Sequence, residues 1–195
     1  MMQHFRAAAV LLGLFTLLVG VGYPLAMTGF GQVVFPHQAN GSLITREGQV
    51  VGSGLIGQAF SRPDYFWGRP SAAGKGYDGR SSSGSNLGPS SRALAERIQA
   101  DAARYGGDPS QIPSDLLTAS GSGLDPDISP AAARFQVPRV AAARHLDEAK
   151  VALLVERAIV APPLGVLGDA RVNVLELNLA LDTLAPASST ATPVD

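Results

Sequence analysis

The chain contains no cysteine. Disulfides, thiolate nucleophiles and cysteine-based metal sites are therefore excluded. Lysine is nearly as scarce, with Lys75 and Lys150 the only two. Charged residues make up 16% of the chain and aromatic residues 6%. All but one of the 15 basic residues lie beyond Met27, where they face 16 acidic ones. That slightly acidic balance offers no electrostatic footprint for nucleic acid. His4, His37 and His145 are too far apart in sequence for a helical zinc pair.

One long apolar run stands out against this background. From Ala7 to Met27 the chain reads AAAVLLGLFTLLVGVGYPLAM, without a charge and without the polar stripe of an amphipathic helix. At 1.5 Å per residue the run gives about 31 Å of helix, close to the hydrocarbon thickness of a bilayer. A cleaved signal peptide is the competing reading. Its apolar core should be shorter, about 7–15 residues, and end in small residues before the cut. The late candidate site here places Pro24 and Ala26 before Met27, so an uncleaved anchor is expected. Arg6 and the amino terminus precede the helix and the next basic residue is Arg46, which keeps the N-terminus inside and exports the rest. The expected organisation is a single N-terminal transmembrane helix plus one α/β (α+β) extracytoplasmic domain. Residues 1–6 are cytoplasmic, 7–27 span the membrane, 28–184 form the domain, and 185–195 are a low-complexity, disordered tail.

Within the domain, Leu43-Ile44-Thr45 and Gln49-Val50-Val51 flank Arg46-Glu47-Gly48 and predict a hairpin. Ser61 to Pro89 is dense in Gly, Ser, Pro and Arg, yet holds Tyr65-Phe66-Trp67, with the only tryptophan. An ordered surface loop with aromatic anchors is expected there. A helix should follow from Ser90 or Ser91, with Leu94, Ile98, Ala102 and Tyr105 as its apolar stripe and Gly106-Gly107 as its stop. Pro113-Ser114-Asp115 opens a short helical turn. Ser129-Pro130 starts a helix that Pro138 should split into two pieces, 131–135 and 139–144. Asp147 caps a helix predicted over 148–160, stopped by Pro162-Pro163. Val172-Asn173-Val174 reads as a strand, and Leu175, Leu177, Leu179 and Leu181 either continue it or pass into a helix around Leu177.

Few residues look chemical. Gly68-Arg69-Pro70-Ser71-Ala72-Ala73-Gly74-Lys75-Gly76 has the wrong spacing for a phosphate-cradling loop, and Gly76 stands where Ser or Thr should ligate magnesium. Asp125-Pro126-Asp127 lacks the sixth-position glycine of a calcium loop and reads as a turn whose aspartates cap the next helix. His145 and Asp147 would need a serine in a nucleophile elbow, and Ala119-Ser120-Gly121-Ser122-Gly123 is out of frame for one. No catalytic residues and no metal ligands are therefore assigned. The one unusual cluster is Tyr65, Phe66, Trp67 and Arg69. Aromatics with arginine are typical interface anchors, so these four are the candidate partner interface, with filling of the domain's own core as the alternative.

Longer motifs now add up. They are Gly22-Tyr23-Pro24, Phe35-Pro36-His37-Gln38-Ala39-Asn40-Gly41-Ser42-Leu43-Ile44, Gly52-Ser53-Gly54-Leu55-Ile56-Gly57-Gln58 and Tyr65-Phe66-Trp67-Gly68-Arg69-Pro70-Ser71-Ala72. Gly84-Ser85-Asn86-Leu87, Thr118-Ala119-Ser120-Gly121-Ser122-Gly123-Leu124-Asp125 and Pro138-Arg139-Val140-Ala141 follow, then Val172-Asn173-Val174 and Glu176-Leu177-Asn178-Leu179-Ala180-Leu181-Asp182. In that order they resemble the KdpC family, the C subunit of the bacterial high-affinity potassium-transporting P-type ATPase. Ser83 and Asp78 depart from the pattern, where Gly and Asn are expected. The resemblance implies an accessory subunit in the bacterial inner (plasma) membrane, not an enzyme by itself. Its implied partners are the potassium-channel-like KdpA, the ATP-hydrolysing KdpB and the small KdpF peptide. ATP and potassium would be handled by those partners, with no cofactor bound directly here. Proteins of this kind are described as catalytic chaperones that raise the ATP affinity of KdpB. An exported domain cannot touch cytoplasmic ATP, so any such effect is expected to be indirect. A membrane-tethered extracytoplasmic binding module is the alternative function.

Overall fold

The computed structural model describes residues 2–185; the expected disordered tail falls, apart from Ala185, outside the described residues. The chain divides into two compact units between Val51 and Gly52.

The first unit is dominated by one helix of 33 residues, Met2–Val34, long and apolar enough to cross a membrane. Its parts are α1 (Met2–Leu17), a wider turn over Leu18–Gly22 and α2 (Tyr23–Val34). The wide turn has a local cause. Pro24 brings no N–H and its ring crowds the carbonyl one turn back, and the helix loosens to a five-residue repeat, with the Tyr23 N–H donating to the Leu18 carbonyl. At about 50 Å the helix is longer than a bilayer's hydrocarbon core and continues beyond Ala7 and Met27 at both ends. Phe35, before Pro36, leaves helical geometry, as a residue preceding proline tends to. The short turn α3 (Pro36–Ala39) follows, closed by a 2.6 Å bond from Asn40 Nδ2 to the Pro36 carbonyl. Strands β1 (Leu43–Arg46) and β2 (Gln49–Ser53) then form the expected hairpin, with Glu47 (φ 53°) and Gly48 (φ 78°) both left-handed in its turn.

The second unit is α+β. A three-stranded antiparallel sheet, ordered β3-β5-β4, is built from β3 (Asp127–Ile128), β5 (Arg171–Asn173) and β4 (Ile159–Val160). Val172 lies opposite Ile128 on one side and Ile159 on the other, and it is wholly buried. Helices α4 (Arg92–Arg104), α5 (Pro130–Arg144), α6 (Glu148–Ala158) and α7 (Val174–Leu184) complete the unit. The core joins Phe66, Leu116, Val140, Val151, Val155, Val172, Leu177 and Leu181, each at most 1% exposed. Burying each such side chain contributes about 1.5–3 kcal/mol.

Local chemistry explains most boundaries, and packing explains the exceptions. α4 starts at Ser91 and ends at Tyr105, beside Gly106, as its stripe predicts. α5 is continuous through Pro138, not two pieces. Its buried face, Ala132, Ala133, Gln136, Val137, Val140 and Ala141, runs across the proline, while Pro138 and Arg134 are exposed. The carbonyl that proline leaves without a donor therefore lies on the wet side, and the shared core holds both halves in one helix. The cap of α5 is Ser129, whose Oγ accepts the Ala132 N–H at 3.0 Å and whose own N–H is held by Asp115 at 2.7 Å. Asp125 and Asp127 are not the caps: Asp127 begins β3. α6 ends at Ala158, two residues early, because Ile159 and Val160 extend to pair with β5. At Val174 the strand turns into α7, capped by Asn173 Oδ1 accepting the Glu176 N–H at 3.1 Å. Val174, Leu177, Asn178 and Leu181 form its buried face at helical spacing.

Candidate partner interface

The aromatic segment runs across the core as a strap held at its backbone. Asn178 and Gln136, each 1% exposed, bond to consecutive residues of it. Asn178 Oδ1 accepts the Phe66 N–H at 2.8 Å, and its Nδ2 donates to the Phe66 carbonyl at 3.0 Å. Gln136 repeats the pattern on Trp67, with bonds of 2.8 and 3.0 Å. Each amide imitates the pairing of a neighbouring strand, which satisfies buried backbone groups that no sheet reaches.

Cations pin the strap's outer side. The Arg139 guanidinium lies 3.8 Å from the Trp67 ring centroid and donates to the Pro63 and Tyr65 carbonyls at 2.6 and 3.1 Å. Burial pulls Arg139 down to about 10, which still leaves it charged at neutral pH. Arg104 sits 4.8 Å from the same ring. The Arg144 side chain, 3% exposed, pairs with Asp182 at 2.8 Å and bonds the Asp64 carbonyl at 2.7 Å. Asp64 feels burial pushing it up, but its bonds to Arg62 outweigh that and hold it below its ordinary value. Trp67, Tyr105 and Phe135 stack in sequence with centroids 5.3 and 5.8 Å apart.

The four candidate residues thus divide. Phe66 is wholly buried and Trp67 is 8% exposed, both within the chain's own core. Tyr65 and Arg69 are only partly covered. Tyr65 donates its hydroxyl to Asp182 at 3.1 Å, and burial, followed by that carboxylate, raises its pKa. Arg69 pairs with Asp125 at 3.1 Å. Gln136, Asn178, Arg139 and Arg144 escaped sequence reasoning as a set. The available signal was a polar residue on an otherwise apolar helix face, as Asn178 is between Leu177 and Leu181.

The glycine- and serine-rich motifs converge beside the strap and interlock. The Gly57 N–H donates to the Leu124 carbonyl at 2.8 Å, the Ser83 N–H to the Ser122 carbonyl at 2.9 Å, and Ser71 Oγ to the Gly123 carbonyl at 2.6 Å. A Cβ on Gly57 would lie 2.5 Å from the Asp125 carbonyl oxygen, and one on Gly123 (φ 69°) 2.6 Å from the Ala73 nitrogen, so neither position admits a side chain. In the rejected phosphate loop, Lys75 is exposed and the Tyr77 hydroxyl bonds back to the Arg69 carbonyl at 2.6 Å. His145 is exposed in the left-handed cap after α5, and the Asp147 carboxylate accepts the Ala149 N–H instead of orienting it. A hollow of about 310 Å³ gathers Asp115, Asp125, Asp127 and Asp169 with Arg69 and Arg171. Asp125 and Asp127 pair with the two arginines and Asp115 holds Ser129. Among the described residues no group of three or more His, Asp or Glu is arranged to hold a metal.

This geometry is that of a latched loop layer on a small helical core, and comparison with known proteins gives it a family. The model of the family KdpC, described as the c chain of the K+-transporting ATPase, matches residues 5–183. The chain belongs to the KdpC family. It is 57% identical over 189 residues to the potassium-transporting ATPase KdpC subunit of Caulobacter vibrioides, covering 95% of this chain and 96% of the relative. The subunit of that name from Gemmatimonas aurantiaca is 57% identical over 192 residues, 96% of each chain. That from Acidobacterium capsulatum is 53% identical over 183 residues, 94% of this chain and all of the relative. All of the motifs quoted above, from Gly22 to Asp182, fall inside the matched region.

Proposed function

We propose that this chain is a non-catalytic accessory subunit of an ATP-driven potassium uptake complex, anchored by its N-terminal helix with the domain on the outer face of the membrane. One observation carries the reading: a single family match runs through both the apolar helix and the domain. Anchor and domain therefore belong to one kind of protein, whose relatives are named as potassium-transporting ATPase subunits. The orientation rests on Arg6, the one charged residue before the helix's apolar stretch.

In this reading KdpA and KdpB, with the KdpF peptide, are the partners, and the chain's task is their assembly and stability. Potassium and ATP are handled by those partners. An effect on ATP affinity would pass through the assembly, because only residues 1–6 lie on the ATP side. The outer domain caps the potassium entrance of the channel-like subunit. Tyr65 and Arg69 offer their uncovered edges to a partner from a loop that Phe66 and Trp67 pin from within. The test is a pull-down of the tagged chain from detergent-solubilised membranes of potassium-starved cells. Two larger membrane subunits with potassium-stimulated ATPase activity should co-elute. A chain that elutes alone while those partners are expressed would overturn the reading in favour of a tethered binding module.

A further inference from the structure

Between β4 and β5 the chain leaves the sheet at Val160 and returns at Arg171. From Ile159 to Gly168 it carries no charge, and its turn begins at Pro162-Pro163. The backbone closes on itself: the Gly165 N–H donates to the Pro162 carbonyl at 3.0 Å and the Leu167 N–H to the Pro163 carbonyl at 3.1 Å. Leu164, Gly165 and Gly168 take left-handed φ values of 55, 73 and 89°. For a leucine that conformation is unfavourable, and here it holds the side chain outward. Leu164 is 88% exposed, Val166 79% and Leu167 60%. Leu164 and Val166 are the two most exposed large apolar side chains described beyond Val51. The apolar surface continues at the base of the loop, where Leu55, Pro126 and Val160 line one shallow hollow.

Size and charge limit what covers this knob. Three aliphatic side chains cover at most a few hundred Å². A stable interface between two copies needs roughly 800 Å² from each, so self-association is too small a use for it. A bilayer surface is disfavoured as well. Segments that rest in lipid headgroups hold on with Lys, Arg, Trp or Tyr. None of these falls between Arg157 and Arg171, and the one charge there is Asp169. A pre-shaped apolar knob on an otherwise polar surface fits the anchor of a larger protein interface. We propose that Leu164, Val166 and Leu167 insert into an apolar recess on another subunit of the potassium-transporting assembly. This rests on the reading of the chain as an assembled subunit.

The absence of cysteine makes the test direct. Leu164→Cys and Val166→Cys are introduced separately into the full chain, with Leu153→Cys, half-exposed on α6, as the control. Maleimide labelling of this chain is timed in three settings: in the co-purified complex, alone in detergent, and alone in vesicles of phosphatidylethanolamine and phosphatidylglycerol. The expected result is labelling at 164 and 166 slowed about tenfold or more in the complex only, with position 153 unchanged. Equal labelling in complex and free chain overturns the proposal while co-elution of the partners leaves the accessory-subunit reading intact. Protection in vesicles without partners overturns it in favour of lipid, and protection in detergent that grows with concentration overturns it in favour of a second copy. A chain that recovers no partners overturns the functional reading and this one with it.

Discussion

Asn178→Ala tests whether a side-chain amide is what holds the aromatic strap to the core. In the native chain Asn178 answers both backbone groups of Phe66, at 2.8 and 3.0 Å, and the two residues are 1% and 0% exposed. Truncation leaves a buried N–H and a buried carbonyl without partners, at roughly 1–3 kcal/mol each, or about 2–5 kcal/mol together. Against a domain stability of roughly 5–15 kcal/mol this is a large loss. It should lower the melting temperature by roughly 5–15 °C. Asn178→Asp sharpens the test. The carboxylate can still accept the Phe66 N–H, but it faces the Phe66 carbonyl where the amide donated. Burial and that repulsion raise the folded-state pKa of the introduced acid above its unfolded value. The deficit is therefore fully present above the raised pKa and shrinks as pH falls through it, when the protonated acid donates again. Melts of the full chain in detergent, followed by circular dichroism and by Trp67 fluorescence across acid to neutral pH, read both effects. Thr183→Ala, which removes an exposed bond to the Leu179 carbonyl, serves as control and should cost less than about 0.5 kcal/mol. A loss below about 1 kcal/mol for Asn178→Ala, or no acid recovery for Asn178→Asp, would refute the latch.

Arg139→Ala should destabilise by about 1–3 kcal/mol, and Arg139→Lys should recover little of it, because three hydrogen bonds and the Trp67 stack need the planar fork. A red shift of the single tryptophan in both variants is the measurement, and full recovery by lysine would contradict it. Burial raises Asp101 above its ordinary value against the pull of Arg104 and Arg97, so the native chain loses stability as pH rises from 3.8 through that higher value. Asp101→Asn removes the slope: its melting temperature should gain on the native chain across that window, and a variant that falls behind at pH 7 would contradict the reasoning. Glu96→Cys, at an exposed position of α4, should react in intact cells with a membrane-impermeant maleimide. Labelling only after lysis would place the domain inside.

Elements set by local chemistry were legible in advance: the Glu47-Gly48 hairpin, the Ser91 start of α4, and the Asp147 cap of α6. Three readings failed where distant groups decide. Pro138 is a local breaker, but a face buried on both sides of it keeps α5 whole. Ile159 and Val160 complete a helical stripe, yet β5 claims them from across the sheet. The leucines from Leu175 to Leu181 alternate as in a strand, while the same segment also places Val174, Leu177, Asn178 and Leu181 on one helical face, and only packing chooses between the two. At the strap, the rings announced themselves but their holders did not. Asn178 lies 112 residues from Phe66 and Gln136 69 from Trp67, and no spacing rule connects such pairs.

The division of labour that follows bears on where partners bind. The segments that mark the family most clearly are spent inside this chain: Gly57 and Gly123 on close backbone approach, Ser71 on the Gly123 carbonyl, Asn173 on the Gly54 carbonyl at 2.9 Å and Asn178 on the strap. Each such role demands a particular residue, because only glycine fits against a neighbouring carbonyl and only a primary amide both donates to and accepts from one peptide. An apolar knob demands much less, since Leu, Val, Ile or Met of similar volume fill a recess at modest cost. A partner surface of this kind need not lie in a long motif at all. The quoted motifs fall silent between Ala141 and Val172, and it is there that Leu164 and Val166 stand exposed.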